Sequence, residues 1–204
     1  AEHSQRYFKT GPGEYGEGDV FIGVRVPVTR SVGKHFRDLS SAEIVELAHS
    51  PIHEHRLCAV VILADQFKRS KNALQQSELF DVLLNLVSSG RVNNWDLVDS
   101  SAPYVGAYLT QIPDYMDLLR RMAESDDVWE RRTAVMFTAA LIRQGICDPT
   151  LELCEMLLSD EHDLIHKAVG WALREAGKSV KGATDLWVST LITVGDGLLI
   201  ATKL

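Results

Sequence analysis

The sequence predicts an all-α protein built of antiparallel helix pairs stacked into a curved α-solenoid. Three observations carry that prediction. Pro is scarce, 6 in 204 residues, and long segments run without a Pro or Gly break. From Leu39 nearly to the end, apolar residues recur at helical spacing between recognisable starts and stops. The helical segments also resemble one another at a regular interval.

Residues 1–38 form a Gly-rich N-terminal segment, Tyr7-Phe8-Lys9-Thr10-Gly11 through Gly18-Asp19 and on to Val26-Pro27. Val20 to Val26 read as a strand in isolation. With no strand downstream to pair with, an extended loop packed on helices is expected instead. The glycines do not make a phosphate loop, because Gly33-Lys34 is followed by His35 rather than Ser or Thr. Ser40 or Ser41 caps a first repeat helix, with Glu43 in its first turn and Ile44, Leu47 and Ala48 on one face. Helices are then expected near 52–69, 75–89, 95–111, 114–124, 127–144, 149–159 and 162–177. Gly145 and Gly177 read as C-terminal stops, and Asp148-Pro149 as a start. The helical repeats span 39–180, and 181–204 is expected to close the array as an atypical cap. The chain 1–204 is read as a single domain.

The pairs align on Arg56-Leu57-Cys58-Ala59-Val60, Arg131-Arg132-Thr133-Ala134-Val135 and His166-Lys167-Ala168-Val169, with Asp99-Ser100-Ser101-Ala102 as a degenerate member. Ala59, Ala102, Ala134 and Ala168 stand roughly 32 to 43 residues apart, the interval of a HEAT-type helix pair. In such an array Asp99, Arg132 and His166 or Lys167 line one groove.

A net charge of −7 and a pI near 5.5 are the wrong balance for a generic nucleic-acid binder, since phosphate neutralisation supplies much of the affinity for DNA. A curved molecule can still be basic inside and acidic outside. Cys58, Cys147 and Cys154 lack C-x-x-C spacing and read as reduced, buried thiols. No signal peptide and no apolar stretch of about 20 residues is found, so a cytoplasmic protein without membrane contact is expected. His49, His53, His55 and Cys58 suggest zinc, but Pro51 interrupts them and no second ligand pair follows. These side chains are expected to face solvent, with no metal and no cofactor.

One stretch has residue types chosen for chemistry, Asn94-Trp95-Asp96-Leu97-Val98-Asp99. Trp95 and Asp99 are four apart and share a helix face. An indole beside a carboxylate suits a substrate that becomes cationic as it reacts. The same residues also make an ordinary helix start, with Asn93 or Asn94 as cap, Asp96 in the first turn and Trp95 on the core.

Four blocks, in this order and at compatible distances, resemble the HEAT-like-repeat DNA alkylation repair glycosylases (AlkD-like). They are Tyr7-Phe8-Lys9-Thr10-Gly11 through Gly23-Val24-Arg25-Val26-Pro27, Trp95-x-x-x-Asp99, Trp129-Glu130-Arg131-Arg132-Thr133-Ala134, and His166-Lys167-Ala168-Val169-Gly170-Trp171 continuing to Glu175. The resemblance implies hydrolysis of the N-glycosidic bond of cationic N3- and N7-alkylated purines in duplex DNA, without base flipping and as a monomer. By position it makes Asp99, Trp95 and Trp171 the catalytic cluster and Arg132 a DNA contact. Arg131, Lys167 and Lys9 are further candidate phosphate contacts. Trp129 and Trp187 read as core or cap residues. Residues 183–204 depart from the basic final helix usual in that family. The alternatives are a related module that holds damaged or branched DNA without cutting it, and a scaffold for protein partners.

Overall fold

A computed structural model of the chain describes residues 2–179. The terminal cap expected over 181–204, Trp187 included, lies outside the described residues. The fold is all-α: among the described residues there are ten α-helices, a 3₁₀ segment and no strand. The chain divides into two compact units between Tyr108 and Leu109.

The first unit contains α1 (Glu2–Tyr7), α2 (Val26–His35), α3 (Ser41–Ala48), α4 (His53–Arg69), α5 (Ala73–Ser88) and α6 (Trp95–Val105). Its axis is α4, which is buried along most of its length and packs against α2, α3, α5 and α6. Ser40 caps α3 through a reciprocal box with Glu43, as the sequence predicts. Asn72 and Asn94 cap α5 and α6 through their side-chain oxygens.

Two expectations for this unit need correction. Residues 26–35, part of the N-terminal segment 1–38 for which no helix is expected, form α2. The β-branched valines favour extension, but Pro27 sits in the first turn, where its fixed φ and missing N–H favour a helix. Thr29 and Gly33, one turn apart, are the residues α2 buries on α4. A Cβ at Gly33 would stand 3.3 Å from the Ile62 side chain, so glycine permits the close approach. The helix expected over 95–111 ends its α-helical part at Val105 and tightens to 3₁₀ over Gly106–Gln111. Pro103, which lacks the N–H, precedes the change. Of the loop 20–25, only Val20 makes an extended pairing, a parallel bridge to Ile52.

The second unit contains α7 (Tyr115–Ala123), α8 (Val128–Ile142), α9 (Asp148–Met156) and α10 (Asp163–Ser179). Here α8 is the buried axis and packs against α7, α9 and α10. Asp127 caps it by accepting from the Trp129 N–H at 2.7 Å. Gly145, at φ 79°, ends it in the left-handed conformation, and the Ile146 N–H returns to the Leu141 carbonyl. Gly177 is not a stop, because α10 runs through it to Ser179.

The repeat read from sequence has a geometric counterpart. Arg56 Nη1 donates to the carbonyls of Ser50 and Pro51, each at 3.2 Å. Arg131 Nη1 donates to those of Ser125 and Asp126 at 2.9 and 3.0 Å. Ser50 and Ser125 hydroxyls accept from the backbone two residues on, both at 3.1 Å. Each arginine thus ties down the turn before its own helix, in the register that aligns Ala59 with Ala134.

Candidate active site

The start of α6 is set by Asn94, whose Oδ1 accepts from the Trp95 N–H at 2.9 Å. Trp95 is the first residue of α6 and Asp99 lies one turn later on the same face; both are half-buried. Trp95 is seated on a pile of rings. Phe8 stacks on it with centroids 5.4 Å apart, Phe21 stacks on Phe8 at 5.0 Å, and His53 stacks on Phe21 at 4.4 Å. Tyr7 meets Trp95 edge-on at 5.9 Å. Offset stacks and edge contacts are the favoured aromatic geometries, so the indole is held from below and from the side.

The pile ends in a buried ion cluster. His53 Nε2 is 2.9 Å from Asp96 Oδ2 and its Nδ1 is 3.1 Å from Asp19 Oδ2. Arg56 Nη2 donates to the other Asp19 oxygen at 2.6 Å, and Asn93 Nδ2 donates to it at 3.0 Å. Beside the cluster, the Glu54 carboxylate accepts the backbone N–H groups of Ile22, Gly23 and Val24 at 2.7–3.2 Å. Gly16 allows the N-terminal segment to fold tightly, since a Cβ there would come 2.4 Å from the Phe8 carbonyl. The Gly-rich stretch is therefore neither a phosphate loop nor a spacer. It delivers Phe8, Asp19 and Phe21 beneath Trp95.

Within this unit the structure brings together Trp95, Asp99 and the segment carrying Lys9, which directly follows Phe8. Lys9 is exposed, with its Nζ 5.8 Å from the Tyr15 ring. The other predicted residues stand in the second unit. Trp171 and Lys167 are four apart on α10; Trp171 is half-buried, and Lys167 is exposed and pairs with Asp163 at 2.6 Å. On α8, Arg132 is only 6% exposed, and its Nη1 donates to the Leu164 carbonyl at 2.6 Å. Arg131 bonds Asp160 at 2.7 Å and holds the two carbonyls already described. Trp129 is buried in the core. Cys58, Cys147 and Cys154 are buried, and burial pushes the Cys154 thiol up to about 12, which leaves it protonated and inert.

The model of the DNA alkylation repair enzyme family matches residues 1–193, nearly the whole chain. The chain belongs to that family. No curated protein matches it significantly. As a DNA alkylation repair enzyme it carries the Trp95–Asp99 helix start on a support that reading the sequence alone does not reveal. His53, expected to face solvent, is instead 1% exposed and lies at the centre of the cluster. The signal was available in α4: His53, Glu54 and Arg56 lead into the apolar and almost wholly buried run Leu57 to Ala64, and buried charges must find partners. Among the described residues no three His, Cys, Asp or Glu side chains converge in a way that could hold a metal ion, and no helix is long and apolar enough to cross a membrane.

The cluster makes stability in this repair enzyme depend on pH. Burial disfavours charge on His53, but its bonds to Asp19 and Asp96 outweigh that and raise its pKa. Burial also opposes ionisation of Asp19, yet His53, Arg56 and Asn93 hold its carboxyl below the usual range. The His53 contribution is complete below the ordinary imidazole value of about 6.5 and is lost as pH rises through the raised native value. The Asp19 contribution is present above about 3.9 and is lost as pH falls through the depressed native value. Thermal melts should therefore show greatest cluster stability between about pH 4 and 6.5, with a fall on the alkaline side that His53→Gln removes. An unchanged alkaline fall in His53→Gln would contradict this assignment.

Proposed function

We propose that this repair enzyme is a monomeric DNA glycosylase that hydrolyses the N-glycosidic bond of cationic N3- and N7-alkylpurines in duplex DNA, opening base excision repair. The observation that carries the reading is the half-buried Trp95–Asp99 pair on one helix face, seated on a fixed aromatic and ionic base, in a chain of this family. An alkylpurine that already bears a positive charge leaves as a neutral base and needs no general acid. What remains to be stabilised is an oxocarbenium-like sugar and an attacking water. An ionised Asp99 does both, by its charge and by orienting the water. Trp95 gives the sugar an apolar and cation–π surface that excludes bulk water. The reaction needs neither metal nor cofactor, and the base need not leave the stack.

By the resemblance of their sequence blocks, Trp171 is assigned a DNA sugar or backbone contact within the catalytic cluster and Arg132 a phosphate. Arg132, anchored through Nη1, is held in place for that role, and Lys167 and Lys9 are exposed cations able to join it. Arg131 is spent largely on Asp160 and the preceding turn, so its contribution to DNA is the smallest of the four.

The chemistry is tested by comparing duplexes carrying 7-methylguanine with duplexes carrying a neutral lesion such as hypoxanthine. Release of the first and not the second is expected, and equal release would contradict leaving-group activation by the lesion's own charge. Duplex affinity should also fall linearly in log–log form with salt, as phosphate neutralisation requires. The net charge of −7 favours the rival reading of a protein scaffold, for which a flat salt response is the expected result.

A further inference from the structure

We infer that His53 is a positioning residue for the Trp95–Asp99 helix start: its imidazolium bridges Asp19 and Asp96, and loss of its proton lets the first turn of α6 shift and slows base excision. The inference rests on the excision chemistry proposed above.

Both ring nitrogens face carboxylate oxygens at hydrogen-bond distance, 3.1 Å to Asp19 and 2.9 Å to Asp96. A neutral imidazole has one N–H only, so one carboxylate would then face a lone pair. The two carboxylates are not equally able to bear this. Asp19 keeps Arg56 and Asn93. Asp96 is 5% exposed, its Oδ2 bonds only His53, and its Oδ1 has no hydrogen-bond partner. With His53 charged, His53 and Arg56 stand against Asp19 and Asp96, while Glu54 is held by three backbone N–H groups; with His53 neutral, one further negative charge stays buried without a cation.

Asp96 lies next to Trp95 in the first turn of α6, so relief of that charge moves the indole. The rings transmit the same change by a second route, from His53 through Phe21 and Phe8 to Trp95. The groups around the imidazole are Asp19 on the N-terminal segment, Asp96 and Asn93 at the start of α6, and Glu54 and Arg56 on its own helix. As the first residue of α4, His53 also meets the positive end of that helix, which opposes its charge. The carboxylates alone keep it protonated. An ionised Asp99 produces no alkaline decline, and a decline caused by loss of the N1 proton of 7-methylguanine is common to every variant, so the part of the limb that His53→Gln removes reports His53.

The test is single-turnover release of 7-methylguanine from pH 5 to 9, alongside NMR titration of the His53 ring and the Trp95 indole N–H, assigned with His53→Gln and Trp95→Phe. In the wild type, the rate should fall on the alkaline side with the midpoint of His53, and the Trp95 indole signal should shift with it. His53→Gln should flatten that limb at a rate lowered by about tenfold, with KM unchanged. Asp96→Asn keeps an acceptor but removes the charge, and should move the limb down by about one pH unit. A limb unmoved in both variants, or a Trp95 indole that ignores the His53 titration, overturns the inference while leaving the glycosylase reading intact. Absence of excision by the wild type overturns the proposed chemistry instead, and the indole titration then decides the positioning by itself.

Discussion

Replacing Asp99 with Asn should lower base excision by about 10²–10³-fold while leaving the fold and duplex affinity in place. Asn has the same shape and keeps a polar group in the second turn of α6, so no cavity opens. What disappears is a full negative charge beside the developing sugar cation, and with it the group that orients the water. Because Asp99 faces a polyanion in this account, removing its charge should strengthen binding to undamaged duplex slightly. A fall in rate accompanied by an equal fall in affinity would instead place Asp99 in binding. Rates and affinities measured side by side separate the two.

The second large effect is on stability. Asp19→Ala should destabilise the first unit by about 3–5 kcal/mol, read from the denaturant midpoint. Asp19 and Arg56 each have side chains 5% exposed and form a 2.6 Å contact. Removing the carboxylate leaves the guanidinium short of its partner and His53 with one acceptor instead of two. An exposed pair such as Lys178–Glu175, with a lysine side chain 63% exposed, contributes under about 1 kcal/mol, because water and salt screen it. A loss of under about 1 kcal/mol in Asp19→Ala would show that the cluster is no more than another surface network.

Much of the fold is legible in the residues because local signals and global packing agree. Ser40 with Glu43, Asn94 before Trp95 and Gly145 after Ile142 mark helix ends by side-chain chemistry that acts within one turn. The repeat is legible through Arg56 and Arg131, which do the same job in each unit. Residues 26–35 are not read as a helix from sequence, because their valines favour extension; Pro27 in the first turn and the seat of Thr29 and Gly33 on α4 decide otherwise. The half of the site built by Trp95 and Asp99 is visible as a four-residue spacing. Its support is not, because Asp19, His53 and Asp96 are far apart in sequence and meet only through tertiary contacts. A polar helix start on an apolar helix is the one trace they leave.

This support also explains the cost of the N-terminal segment. A Gly-rich stretch loses much conformational freedom on folding, and here that loss is offset by three backbone bonds to Glu54 and the buried cluster. The return is an indole held by its ring contacts, while the cluster is charged, one turn before the carboxylate.

The most direct test of the account is release of 7-methylguanine and 3-methyladenine from methylated duplex DNA by the purified protein, with EDTA present. The account predicts release by the wild type that EDTA does not reduce and that is lost in Asp99→Asn. No release by the wild type, or equal release by Asp99→Asn, would contradict it.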